Sequence, residues 1–133
     1  MNPNKRAVGV VVALGLGLGV QACGGEPEVC ADVDALQADL DDLRAIQIEP
    51  GSLAELSTDL DEVESDVNQL VEDAASEYDA EIEAVQSATQ ALRDSVATAV
   101  QAPSGPAITQ VSDDFGEFTT AVGNLREAVA DTC

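Results

Sequence analysis

The stretch LAELSTDLDEVESDVNQLVEDAASEYDAEI, residues 53–82, decides the fold of this chain. From Leu53 to Leu70 its apolar residues recur at alternating steps of three and four, the spacing of the buried stripe of a coiled coil or helical bundle. The positions between them are mostly Asp, Glu and Ser, which suit a solvated face. The stretch therefore predicts an amphipathic helix that packs against other helices.

Two further segments carry the same period, and no segment alternates with the period of two that marks a strand, so the predicted fold class is all-α. We call the apolar positions of the three segments the apolar seam. They are 33, 36, 40 and 43; 53, 56, 60, 63, 67, 70 and 74; and 108, 111, 115, 118, 122, 125 and 129.

Proline and glycine separate the three helical segments. Pro50 disfavours a helical conformation at Glu49, and the run APSGPA, residues 102–107, interrupts the chain a second time. The prediction is a short helix 1 that begins near Pro27, a long helix 2 from residue 52 to about 101, and a helix 3 from about 106 to 132. Short connections make neighbouring helices antiparallel, so the helices form antiparallel hairpins with coiled-coil packing.

The continuity of helix 2 is the open question of the fold. Between Val67 and Ile82 the apolar steps become three, four, four and four. A step of eleven residues suits a straight α-helix, which favours one continuous helix about 75 Å long. The alternative is a break near residues 74–79, which would give an up-down four-helix bundle.

The beginning of the sequence has the form of an export signal. Lys5 and Arg6 precede the uncharged run AVGVVVALGLGLGV, residues 7–20, which is too short to span a bilayer. The following Val20-Gln21-Ala22-Cys23 resembles the lipobox of bacterial lipoproteins, although Gln21 stands where a small or hydroxyl residue is usual.

The resemblance covers residues 1–23 and implies a lipid-anchored protein outside the cytoplasm. Residues 1–22 would be a removed signal peptide, Cys23 the lipidated residue, and residues 23–29 a tether attached to the cell membrane. Residues 30–133 form a single helical domain, for which no family is recognised. Membrane contact is expected through the lipid alone.

Cys30 and Cys133 are expected to form a disulfide, because disulfides persist outside the cytoplasm. The predicted turns near Pro50 and Ser104 fold helices 1 and 3 back onto the same part of helix 2. This brings the two cysteines together, and the four-helix alternative does so as well.

The antiparallel register also places each remaining arginine opposite an acid of a neighbouring helix. The predicted pairs are Arg44 with Glu55, Arg93 with Asp113 and Asp114, and Arg126 with Asp79.

Charge and composition exclude several classes of function. Without residues 1–22, the chain has 26 acids and three arginines, a formal charge of −23. This excludes nucleic-acid binding, which depends on Lys and Arg. The chain has no histidine, so histidine-dependent nucleophilic catalysis and the usual zinc clusters are also excluded. We expect no enzymatic activity, cofactor, metal site or small-molecule substrate.

Two functions remain. In the first, the protein is a structural or protein-interaction module, and the apolar seam or the pair Gly116 and Gly123 on helix 3 receives a partner helix. In the second, the acidic surface binds divalent cations weakly. The carboxylate-rich runs at 32–42 and 58–66 motivate the second function, although neither has the EF-hand pattern. Crowded acids on helix 2 also predict raised carboxyl pKa values and higher stability at pH 5 than at pH 7.

Overall fold

The structure, a computed structural model, describes residues 27–74 and 76–133. The helices are α1 (Glu28–Ala45), α2 (Leu53–Asp73), α3 (Asp79–Gln101) and α4 (Gly105–Val129), and a single 3₁₀ turn at Ser76–Tyr78 precedes α3. No β-strand occurs within these two ranges. The all-α prediction is confirmed.

The four helices form an up-down bundle. Each helix packs against its neighbours in sequence, and α1 also packs against α4. The diagonal pairs α1–α3 and α2–α4 do not approach each other closely in the described part of the chain. The helices have 18, 21, 23 and 25 residues, which corresponds to about 27 to 38 Å. Their similar lengths allow each apolar stripe to be covered from end to end.

The apolar seam fills the core of the bundle. Its positions on α1 and its first six positions on α2 are all buried, as are five of its seven positions on α4. Ala74, Ile108 and Phe115 are partly buried and pack against the core. Phe118 is the largest fully buried side chain among the described residues. The helical period alone therefore identified most of the residues that hold the bundle together.

The expectation of a continuous helix 2 is wrong, and the four-helix alternative is the fold. α2 ends at Asp73, and Ala74 has an extended backbone with φ −79° and ψ 142°. A continuous helix would contact one partner along each half, whereas the break gives every helix two neighbours and so buries more apolar surface. The break also places Asp79 and Glu81 in the first turn of α3, where the helix dipole favours negative charge.

Two long-range links hold the end of the bundle where this break lies. The structure joins Cys30 and Cys133 in the predicted disulfide, with their Cα atoms 5.6 Å apart. Tyr78, in the 3₁₀ turn, is buried, and its hydroxyl is hydrogen-bonded to the hydroxyl of Thr132. The start of α1, the start of α3 and the end of α4 are thus tied together.

The two remaining connections lie at the opposite end. Ser104 caps α4, because its hydroxyl accepts a hydrogen bond from the backbone N–H of Ala107 at 3.2 Å. In the turn between α1 and α2, the Ser52 hydroxyl donates to the carbonyl oxygen of Glu49 at 3.1 Å. These bonds fix the two turns, and the turn between α1 and α2 borders an acidic cleft.

Candidate functional site

The predicted anchor falls outside the part of the chain that the structure describes. This applies to the signal peptide at 1–22, to Cys23 and to most of the tether at 23–29. Between residues 27 and 133, Ala75 apart, no helix has the length and apolar character needed to cross a membrane.

The apolar seam is occupied by the bundle itself. Among the described residues, the only large apolar side chains that are well exposed are Val71 and Val100, at 42% and 47%. The described residues therefore offer a partner helix no continuous exposed apolar stripe.

One open surface is a groove of about 880 Å³ between α3 and α4. We call it the α3–α4 groove. Small residues such as Ala88, Gly116 and Ala121 line it, together with the acids Asp113 and Glu117. A Cβ atom added at Gly116 would meet no heavy atom within 4 Å. No helix of the bundle therefore requires a glycine at this position.

Gly123, the second predicted glycine, is exposed two turns further along α4. It also has open space where a Cβ atom would lie. The expectation that this glycine pair admits a partner helix remains a prediction, since no neighbouring helix of the chain uses the space.

A second surface is an acidic cleft of about 460 Å³ at the turn between α1 and α2. Its six carboxylates are Asp39, Asp42, Glu49, Glu55, Asp59 and Glu62. In the described ranges, no three carboxylates or thiols converge in a way that could hold a metal ion. The cleft concentrates negative charge without presenting a coordination site.

The acids continue along the α1–α2 interface as two facing pairs, which we call the carboxyl pairs. Asp32 on α1 faces Asp73 on α2, and Asp39 faces Asp66, and each pair is close enough to form a hydrogen bond once one of its carboxyl groups is protonated. A hydrogen bond between two carboxyl groups requires that one of them carries a proton. One oxygen each of Asp32 and Asp39 is buried and has no hydrogen-bond partner among the described residues.

Both α1 members of the carboxyl pairs have raised pKa values. Burial is the main cause for Asp39, followed by the hydrogen bond to Asp66 and the charges of Asp66, Glu62 and Asp42, and together they raise its pKa to about 6. Burial and then the charge of Asp73 raise the pKa of Asp32.

The sequence pattern predicted raised pKa values among the crowded acids of helix 2, whereas the raised values found on α1 belong to Asp32 and Asp39. The sequence did contain a signal for the carboxyl pairs, because Asp32 and Asp39 are seven residues apart on α1 and their partners are seven apart on α2. Residues seven apart share one face of a helix, and the antiparallel register of the hairpin then sets the two pairs opposite each other.

The α2–α3 interface differs because it contains a cation. Arg93 on α3 forms ion pairs with Asp61, at 2.8 Å, and with Glu64, both on α2. The predicted pairing of Arg93 with Asp113 and Asp114 is therefore wrong. The break after α2 places α2 beside α3, and Arg93 reaches the acids of that helix.

The other two arginines also differ from prediction. Arg44 pairs with Asp41, one turn away on α1, at 3.1 Å, and not with Glu55. Arg126 forms no ion pair within 4 Å with any acid in the described ranges, so its predicted contact with Asp79 is absent. In the part of the chain that is described, no arginine neutralises the carboxyl pairs.

Comparison of the chain with models of protein families, with curated proteins and with solved structures found no match. The function must therefore be argued from the residues and surfaces described above.

Proposed function

We propose that this chain is a lipid-anchored protein of the bacterial cell envelope, held outside the cytoplasm through Cys23, and that its helical domain is a structural or protein-interaction module. Two features support the location: the signal-like residues 1–22 with the motif Val20-Gln21-Ala22-Cys23, and a domain closed by the Cys30–Cys133 disulfide. Such a disulfide suits an oxidising compartment.

The observation that carries the interaction role is the open α3–α4 groove. Its small side chains leave room for the backbone of a partner helix to approach, as in helix-in-groove recognition. Asp113 and Glu117 favour a partner with Lys or Arg beside its contact face, because opposite charges steer and orient association.

The anchor is tested by membrane fractionation of cells that express the full-length protein with Cys23→Ser. We expect the variant to leave the membrane fraction, because it lacks the acylated thiol. Gln21→Ser is the matched control, since it brings the motif closer to the usual lipobox and should preserve membrane attachment. Normal processing and membrane retention of Cys23→Ser would overturn the lipid anchor.

The interaction role is tested with a photo-crosslinking residue in the full chain in intact cells. The groove position is Thr120, and the control is Thr58, which is also an exposed threonine and lies on α2. We expect a discrete crosslinked product from position 120 and none from position 58. No product at 120, or the same products at both positions, would count against the groove as a binding surface.

The acidic cleft favours a second function, weak binding of divalent cations. Six carboxylates around about 460 Å³ attract Ca²⁺ or Mg²⁺. Calorimetric titration with Ca²⁺ at constant ionic strength tests this function. The cleft variant Glu62→Gln is compared with Glu83→Gln, an exposed acid on α3. Saturable binding that only the cleft variant weakens would support a cation-binding function, and equal effects would indicate general charge screening.

A further inference from the structure

We propose that the α1–α2 contact is a proton-dependent joint: each carboxyl pair shares one proton when α1 is seated on α2, so α1 is held more firmly in mildly acidic surroundings than in neutral ones. This inference does not depend on the proposed function, since it concerns only the stability of one helix in the bundle.

The geometry of the carboxyl pairs is the basis of the proposal. Asp32 and Asp39 are only partly exposed, and an oxygen of each is fully enclosed at the interface. If both members of a pair were ionised, two negative charges would face each other where water is partly excluded. If one member is protonated, the pair becomes an O–H···O hydrogen bond with a single charge.

The neighbouring groups on α1 and α2 increase this preference for a proton. Glu28 and the charge of Asp66 act on Asp32, and Glu62 and Asp42 act on Asp39. All of these groups are acids, so each of them makes the doubly ionised pair less favourable.

The helices packed on the far sides of α1 and α2 do not reverse the balance. At the disulfide end of α4, and just after the helix, the charged residues are Arg126, Glu127 and Asp131, and all three are exposed. On α3, Arg93 is engaged by Asp61 and by a second acid of α2. The α2–α3 interface is therefore bridged by a cation, and in the described ranges the α1–α2 interface depends on a proton.

The direction of the pH effect follows from linkage. The pKa of Asp39 is about 6 in the folded protein and 3.8 in its ordinary state, so the folded protein binds the proton more tightly. The stabilisation is complete below about pH 4 and is lost as the pH rises through about 6. For Asp39 alone, these values reduce the closed-to-open ratio of the joint about tenfold between pH 5 and pH 7.

Opening of the joint is confined to α1. The disulfide at Cys30 holds one end of the helix, and the turn at residues 46–52 holds the other. We therefore expect the backbone hydrogen bonds of α1 to open more often at neutral pH, while α4 keeps its protection.

Hydrogen–deuterium exchange of the full-length protein at pH 5 and pH 7, corrected for intrinsic exchange rates, tests the proposal. Protection of residues 28–45 should fall about tenfold relative to α4. In Asp39→Asn the side-chain amide donates to Asp66 at either pH, so the difference should shrink to less than about threefold. Asp34→Asn, an exposed acid on the same helix, removes the same charge and should keep the tenfold difference.

A titration of the side-chain carboxyl carbons by NMR provides a second readout that does not require Asp39→Asn to fold. Asp39 should titrate near pH 6 in the wild type, and its midpoint should fall toward the ordinary value in Asp66→Asn. A wild-type midpoint near pH 4 would overturn the proposal. So would equal pH dependence of exchange in Asp39→Asn and Asp34→Asn.

Discussion

Removal of the Cys30–Cys133 disulfide should strongly destabilise the domain. The two cysteines are 103 residues apart, so the cross-link closes nearly the whole folded chain. In the chain-entropy model a loop of this length is worth up to about 4.7 kcal/mol. A domain of this size has a free energy of unfolding of about 5–15 kcal/mol, so at its full value the loss is about a third of the total or more.

Urea unfolding followed by circular dichroism measures this loss in three samples: the oxidised wild type, the reduced wild type and Cys30→Ala/Cys133→Ala. Cys30 is buried, so the double variant also loses packing, and about 1 kcal/mol separates it from the reduced wild type. The slope of the unfolding free energy against urea should increase without the cross-link, because the unfolded chain exposes more surface. Equal stability of the oxidised and reduced wild type would refute the entropic argument.

Four substitutions test the packing and the ion pairs of the bundle. Gly116→Ala and Gly123→Ala should each raise the free energy of unfolding by about 0.5–1 kcal/mol, since a Cβ atom has room at both positions and glycine is a poor helix former; an unchanged or lower urea midpoint would contradict this. Phe118→Ala should lower it by about 3–5 kcal/mol, because a fully buried ring leaves a cavity, and a loss below about 1 kcal/mol would show that the core collapses around it. Arg93→Gln should cost about 1 kcal/mol in low salt and less in 0.5 M NaCl, as thermal melts at both salt concentrations would show.

The apolar seam could be predicted from the sequence because burial imposes a period on every helix it stabilises. Leu36, Leu60 and Leu125 lie at their expected positions and are fully buried. The buried face of α3 was harder to predict, because it includes the polar residue Thr89. Thr89 tolerates burial because its hydroxyl donates a hydrogen bond to the carbonyl oxygen of Val85 at 2.7 Å. A polar residue whose hydrogen bond is internal looks like a surface residue in the sequence.

The break between α2 and α3 could not be decided from the period, since the apolar steps through Leu70, Ala74 and Tyr78 suit either a straight helix or a turn. What decides it is the surface gained when two hairpins lie side by side, and this depends on all four helices at once. The acids Asp79 and Glu81 were a local signal for a helix start, because negative charge is favoured there.

The disulfide could be predicted from the sequence, because the pairing of its cysteines does not depend on the break between α2 and α3. Both the hairpin prediction and the four-helix bundle bring Cys30 to Cys133. The ion pairs of the arginines could not be predicted, because each pair depends on which helices are neighbours. Arg93 pairs with acids of α2 because the break places α2 beside α3.

Gly116 and Gly123 connect the stability of the bundle with its proposed role. A glycine inside a helix costs about 1 kcal/mol relative to alanine, and outside the adjoining stretch of α4 no described atom lies within 4 Å of an added Cβ at either position. The fold therefore provides no reason for either glycine, whereas a partner backbone approaching the α3–α4 groove would provide one for Gly116. If Gly116→Ala raises the melting temperature and also abolishes crosslinking from position 120, the stability of the domain and its binding have opposite requirements at this residue. If crosslinking survives the added methyl group, the partner does not approach closely there, and the glycine is only a tolerated surface residue.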